Sequence, residues 1–281
     1  MLKAALAQVL SAEEVPLVYS AFDTIGDIVI IKIPDRLLEK KEMIGKAVLE
    51  NVRPARSVFM QSSAVRGDYR LRELEFIAGA NNTVTEYKEH GCRFKVDVAK
   101  TYFSPRLSTE RERISRMVTG NEVIVNMFAG VGTYSIVIAK KNPNSFVYSI
   151  DSNEIASGLC EQNARLNKVQ ERVTAIHGDA SRVISESLRG VADRVLMPLP
   201  EHAASFVDDA VLALKENASG IVHFFAHVKA DNKGAAKVQG TDQTTRAFQK
   251  YDILIEDLRI VREVGPRIYQ IVSDVKVHKS R

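Results

Sequence analysis

From about residue 120 onward, short β-branched apolar runs alternate with amphipathic stretches of helical period, and no other feature constrains the fold as strongly. EVIVNM (122–127) leads through glycines into TYSIVIAKK (133–141), and SFVYSI (145–150) leads into NEIASGLCEQNARLN (153–167). RVTAIH (172–177) precedes a helix over 181–188, and DRVLM (193–197) precedes one over 201–216. GIVHFF (220–225) is followed by a polar loop at 229–240 and a helix over 242–250. Apolar strands separated by crossover helices are covered on both faces, which predicts a parallel, doubly wound α/β sheet. The last two runs, 252–261 and 268–277, flank Gly265 and Pro266 and read as a hairpin.

Before this alternation the pattern differs. Strand-like runs at 26–33 and 57–61 surround a helical stretch at 36–51, and a further strand pair is expected at 73–79 and 82–88. Residues 1–95 are therefore read as a small α+β domain with a partly antiparallel sheet, and 96–281 as the larger domain. A chain of 281 residues can bury a core in each.

Composition excludes several classes. No apolar run approaches the roughly 20 residues that cross a bilayer. The opening MLKAALAQVL is too short, and too soon followed by acids, for a secretory signal. Cys92 and Cys160 cannot build a disulfide framework or a zinc site, and His223 and His227, four apart, lack a third ligand. The expectation is a cytoplasmic protein with no metal and no membrane partner. A net charge of +4 permits a nucleic-acid partner without requiring one. Between Lys100 and Arg116 five basic residues face two acidic ones, and Arg66, Arg70 and Arg72 crowd AVRGDYRLRE. Alone, such clusters read as solvated surface.

The first strand–loop–helix unit reads NMFAGVGTYSI. Gly130 and Gly132 allow a sharp turn and close approach of a ligand. Ser135 stands where a dinucleotide fingerprint has its third glycine, which argues against NAD and FAD. Asp151 ends the second strand, where a carboxylate can accept from both ribose hydroxyls, and Asp179 follows the third strand near an adenine edge. A lone acid there reads as a helix N-cap. A glycine loop, Asp and Asp at three successive strand ends point instead to a nucleoside cofactor at the switch point of the sheet, in this setting S-adenosyl-L-methionine. The expected fold is the Rossmann-like sheet of class I methyltransferases.

HGCRFKVDVAKTYFSPRLSTERERI followed by NMFAGVGTYSI resembles the archaeal and eukaryotic tRNA guanine-N1 methyltransferases. The likeness continues upstream in AFDTIGDIVIIKIP and GDYRLRELEFIAG and downstream in DRVLMPLPEHAASFVDDA, from about residue 20 to the end. It implies methyl transfer to guanine N1 at position 37, with the anticodon loop and stem of tRNA as partner and a monomeric enzyme. The small domain would help form the target-base site. Glu110 would be the general base and Arg70 the partner of guanine O6, with Arg72 its neighbour. Tyr102, Phe128, Ala129, Gly130, Val131, Gly132, Asp151, Ser152, Asp179, Ala180, Pro198 and Leu199 would surround the cofactor. Arg72, Arg106, Arg111, Pro198 and Pro200 would contact RNA. Spacing alone reads Glu110 as a helix-start acid pairing with Arg113.

Longer members of this family carry an extra RNA-binding module in front, which this chain is expected to lack. The wybutosine-pathway aminocarboxypropyl transferase shares the fold, but Arg106, Glu110 and Leu199–Pro200 favour methyl transfer. An RNA-binding homologue without activity is the remaining alternative. Three departures stand out: Asn126 for an aspartate, Thr133 for a proline, and Pro198 for an asparagine. The last shifts base contact onto the backbone carbonyls of Pro198 and Leu199.

Overall fold

A computed structural model describes residues 6–7, 9–19, 22–62, 71–216 and 218–279, and the chain divides into two units, Met1–Arg106 and Leu107–Arg281. In the first, β1 (Asp23–Ile25) and β2 (Ile28–Ile31) pair antiparallel across a turn at Gly26. That residue has φ +57°, and a Cβ on it would lie 2.1 Å from Thr85 Oγ1, so only glycine fits. The chain then crosses through a 3-10 turn (Asp35–Lys40) and α1 (Lys41–Asn51) to β3 (Ser57–Gln61), parallel to β2. Parallel neighbours require such a crossover. Ile44, Ala47 and Val48 form the apolar stripe of α1 and join a core with Val29, Val58, Met60 and Ile77.

β4 (Leu74–Gly79) lies antiparallel to β3. β5 (Val84–Glu89) does not pair with β4, as the sequence suggested, but with β6 (Cys92–Asp97). The tight turn between β5 and β6 holds His90 at φ 47° and Gly91 at φ 72°. Histidine is an uncommon residue at positive φ, so the hairpin signal is weaker in sequence than Asn-Gly would be. β6 runs across residue 95, where the sequence changes character.

The second unit begins with α2 (Ser108–Met117) and alternates as the sequence predicts: β7 (Val123–Asn126), α3 (Thr133–Lys141), β8 (Phe146–Asp151), α4 (Glu154–Leu166), β9 (Val173–His177), α5 (Ala180–Ser187) and β10 (Arg194–Met197). A 3-10 turn (Ala203–Phe206) and α6 (Val207–Ala213) lead to β11 (Ser219–Lys229), α7 (Lys233–Ala247), β12 (Asp252–Gly265) and β13 (Ile268–His278). The sheet order is β12-β13-β11-β10-β7-β8-β9, parallel except for β13, which is antiparallel to both neighbours. The strand order reverses between β7 and β10, so the carboxyl ends of these strands open at the switch point. This is the expected class I arrangement, and its core runs through Val125, Val195, Val222, Phe224 and Val275.

The polar loop expected at 229–240 is absent. β11 continues to Lys229, and α7 starts at Lys233, where the Asn232 side chain caps it by accepting from Ala235 N at 2.9 Å. Gly234 and Gly240 mislead here as breakers. A Cβ on Gly240 would come within 2.6 Å of Ile271 Cδ1, so this glycine lets the helix lie close on the hairpin. Among the described residues no helix is long and apolar enough to cross a membrane.

Candidate active site

The loop after β7 is held before any ligand binds. Met127 N donates to Leu196 O (3.0 Å) and Ala129 N to Ile150 O (2.8 Å), fastening the loop to both neighbouring strands. Gly130 and Gly132 take φ of 57° and 85°. A Cβ on Gly132 would lie 2.5 Å from Cys160 Sγ, so the turn closes only over glycine. Val131 is buried behind it and Asn163 Nδ2 donates to the Val131 carbonyl at 3.0 Å. Cys160 belongs to the packing, and burial pushes its thiol up to about 12, so it is not a nucleophile.

Asp151 closes the other side of this turn. Its Oδ2 accepts from Gly130 N at 2.6 Å and its Oδ1 from Asn153 N at 2.9 Å. Burial raises its pKa, opposed by these two amides. Each carboxylate oxygen keeps a further lone pair for a hydroxyl. Ser152 is exposed beside it, its carbonyl 3.2 Å from His177 Nε2. At the end of β9, Asp179 caps α5 by accepting from Arg182 N at 3.0 Å, with Ala180 buried next to it. The structural reading of Asp179 therefore holds, and one carboxylate oxygen is already committed. Phe128 packs edge-on against Phe206, ring centroids 5.0 Å apart. The glycine turn, a fixed carboxylate and an aromatic wall fit a nucleoside cofactor.

After β10, Pro198 and Leu199 are half-buried and Pro200 is buried. The Leu199 carbonyl accepts from His202 N (3.1 Å) and Ala203 N (2.8 Å). Both its lone pairs are used, so it is not the base acceptor expected from the sequence. Asn126 turns inward, where its Nδ2 donates to Ser135 Oγ at 3.1 Å, while Ser149 Oγ donates to the same oxygen at 2.7 Å. Ser135, read as a missing glycine, is thus the hub of a buried polar cluster to which an asparagine, unlike an aspartate, can donate.

Glu110 is 2% exposed near the start of α2. Its Oε1 accepts from Arg113 Nε (2.9 Å) and Nη2 (2.7 Å), the pairing that spacing suggested. Arg113 also donates to both oxygens of Asp274 on β13, at 2.5 and 3.0 Å. Asp274 in turn receives His223 Nδ1 at 2.6 Å, and His223 Nε2 lies 2.8 Å from Arg194 Nη1. Arg194 ends the chain on Glu122 (2.6 and 3.1 Å). A guanidinium can only donate, so His223 Nε2 is the bare nitrogen and the proton sits on Nδ1. Burial depresses the pKa of His223 below the usual histidine range. Burial disfavours the charge on Asp274, but His223 and Arg113 outweigh it and hold that carboxyl well below the usual carboxylate range. Sequence reasoning missed Asp274 and set His223 aside. The available signal was an acid inside IYQIVSDVKV, a strand otherwise largely apolar.

The remaining expected residues fall in the first unit, apart from Arg111. Arg72 and Arg106 are brought together by Asp23, Arg72 Nη1 at 2.8 Å from Oδ2 and Arg106 Nε at 3.0 Å from Oδ1. Arg72 and Tyr102 line one recess with Thr101 and Phe103. Arg106 keeps half its side chain exposed, as a phosphate contact needs. Arg111 does not. It is 2% exposed, and a guanidinium enclosed in this way presents no face to a phosphate. Arg70 lies outside the described residues.

Residues 85–254 match the TRM5/TYW2 methyltransferase domain, and residues 2–83 match the TYW2 N-terminal domain. The chain is 38% identical over 260 residues to the tRNA (guanine(37)-N(1))-methyltransferase Trm5b of Pyrococcus abyssi, spanning 92% of this chain and 75% of that one. It is 35% identical over 262 residues to the tRNA 4-demethylwyosine(37)-methyltransferase Taw21 of Saccharolobus solfataricus, spanning 93% and 95%. Its fold superposes on aTrm5 solved in complex with tRNALeu, with TM-score 0.83 and 34% identity over 98% of this chain and 77% of that one.

Proposed function

The chain belongs to the TRM5/TYW2 methyltransferase family, and on that premise we propose that it transfers a methyl group from S-adenosyl-L-methionine to N1 of guanine at position 37 of tRNA. The observation that carries this reading is Glu110: a buried carboxylate with Oε1 clamped by Arg113 and Oε2 without a hydrogen-bond partner among the described residues. That oxygen is enclosed, but its lone pairs remain unspent for the ring N–H of a base that enters beside it.

Guanine N1 carries a proton of acidity comparable to a phenol, pKa roughly 10, against roughly 4.3 for glutamate. The gap of about 6 units corresponds to about 8 kcal/mol against full transfer, so a carboxylate needs help. A cation at O6 supplies it by stabilising the negative charge that builds there as the proton leaves. Arg70 takes that role here, with Arg72 and Arg106 of the same unit on the RNA. When bound, the cofactor supplies an electrophilic methyl on a sulfonium sulfur. Gly130, Gly132 and Asp151 hold its nucleoside, and Phe128, Ala129, Val131, Ser152, Asp179, Ala180 and Pro198 line the same strand ends. Tyr102 completes the set assigned to the cofactor. Glu110 Oε2 would take the proton, and the electron pair left on N1 would form the new bond to carbon as the methyl–sulfur bond breaks, its electrons staying on sulfur in S-adenosylhomocysteine.

A second reading is favoured by the Saccharolobus relative, which is matched over nearly its whole length: the methyl acceptor at position 37 would be an already modified guanine. The test is nucleoside mass spectrometry of unmethylated transcripts carrying guanine or another base at position 37, incubated with enzyme and cofactor. 1-Methylguanosine from the guanine transcript alone, with S-adenosylhomocysteine released, is the expected result. Release of methylthioadenosine with an aminocarboxypropyl adduct overturns it. So does a methyl gain only on tRNA bearing the modified base.

A further inference from the structure

Arg259, on β12, is the residue that nothing so far employs. Its Nε forms an ion pair with Glu110 Oε2 at 3.5 Å without a hydrogen bond, and among the described residues neither atom has a hydrogen-bond partner. A buried donor and a buried acceptor thus stand side by side with both bonds unmade. The charges face each other, but leaving buried hydrogen-bonding capacity unmet is costly, and native interiors rarely keep it so without a use. The opposite oxygen of the same carboxylate is fully bonded to Arg113, so the fold has the means to satisfy Glu110 and satisfies one side only.

The pair has the polarity of a purine edge. Guanine presents a ring N–H donor at N1 and a carbonyl acceptor at the adjacent O6. Glu110 Oε2 and Arg259 present an acceptor and a donor, in matching order and on neighbouring elements of one unit. The Arg259 side chain is 38% exposed and lines an open groove of about 760 Å³ with Lys233, Lys237 and Arg262, set against Asp257 and Glu263. A base delivered by an RNA strand can therefore approach the guanidinium from the solvent side. The excess of cations along the groove suits the phosphates on either side of that base.

Resting on the function proposed above, we infer that Arg259 is a second cation on the target base, donating to guanine O6 while Glu110 Oε2 accepts the N1 proton. A carbonyl oxygen carries two lone pairs, so Arg259 and a second donor can share it. Arg259 then acts where charge develops, and its loss should show in the chemical step. Removing one preorganised donor of this kind lowers kcat by about 10²-fold.

The experiment is a double-mutant cycle between protein and base. Wild type and Arg259→Gln are compared in single turnover, at saturating S-adenosylmethionine and tRNA, on transcripts carrying guanosine or 6-thioguanosine at position 37. Sulfur is a weak hydrogen-bond acceptor, so replacing O6 removes the partner of Arg259, while the altered intrinsic reactivity of the base cancels in the cycle. The expected result is a loss of about 10²-fold on guanosine and a loss at least tenfold smaller on 6-thioguanosine. S-Adenosylmethionine affinity should be unchanged, and Arg259→Lys should fall between wild type and Gln. Equal losses on both bases overturn the assignment. If Arg259→Gln no longer binds the cofactor, the Lys variant carries the same cycle with the same criterion. Absence of 1-methylguanosine from wild type overturns the function itself, whereas product with no coupling overturns only the role of Arg259.

Discussion

Asp151 and Glu110 are carboxylates of the same unit, and they are held in opposite ways. Asp151 is fixed by backbone amides from Gly130 and Asn153, one of them two residues away. Glu110 is fixed by a guanidinium that is itself anchored to Asp274, 161 residues further along. The first arrangement follows once the chain turns after β7 and β8. The second requires α2, β10, β11 and β13 to be assembled. The contrast separates a binding carboxylate that comes with the local fold from a reacting carboxylate that depends on distant side chains.

Replacing Glu110 by Gln tests that division most severely. The amide cannot take a proton, so kcat should fall by about 10²–10⁴-fold while cofactor affinity stays near wild type; both are read from single-turnover kinetics and equilibrium dialysis. Equal losses in binding and rate would erase the distinction. Asp274→Ala should act next. It leaves Arg113 and His223 without their shared acceptor, and breaking a buried pair from one side costs about 3–5 kcal/mol, measurable as a shift of the urea midpoint. Asp151→Ala should do the reverse of Glu110→Gln. Hydrogen bonds to a charged group contribute about 1.5–3 kcal/mol, so cofactor binding should weaken by about 10–10²-fold, and excess cofactor should restore most of the rate.

The smallest effect is a pH slope. Burial holds His223 neutral in the folded chain, its pKa below the ordinary value. Below about pH 6.5 the unfolded chain binds a proton that the folded chain refuses, so stability is complete above that pH and falls as pH drops. The slope is about 1.4 kcal/mol per pH unit until the depressed pKa is reached. Gln at this position can donate to Asp274 and accept from Arg194 without titrating. His223→Gln should therefore flatten the stability profile just below about pH 6.5 in urea titrations.

These opposite modes of support also explain what the sequence discloses. The strand–helix alternation, the glycine turn and Asp151 are written in contiguous residues, because a parallel sheet needs two-sided apolar strands and its ligand site lies at their ends. Glu110 and Arg113 are visible as an i, i+3 pair. Asp274, His223, Arg194 and Arg259 are not, since each becomes informative only through a partner distant in the sequence. The errors have the same origin. Gly240 looks like a helix breaker until Ile271 and Leu258 are placed against it. Arg111 looks like a phosphate ligand until its burial is known. The β5–β6 hairpin is hidden by a histidine doing the work of asparagine in its turn.

The line of charges from Glu110 to Glu122 also bears on how this sequence can change over generations. Each interior member answers two neighbours, so a lineage that exchanges Asp274 for an apolar residue must exchange Arg113 and His223 in close succession or pass through a crippled ancestor. Arg113, Asp274, His223 and Arg194 should consequently be inherited as a block. Among descendants of a common ancestor they should be kept together or lost together, while exposed cations such as Arg165 drift independently.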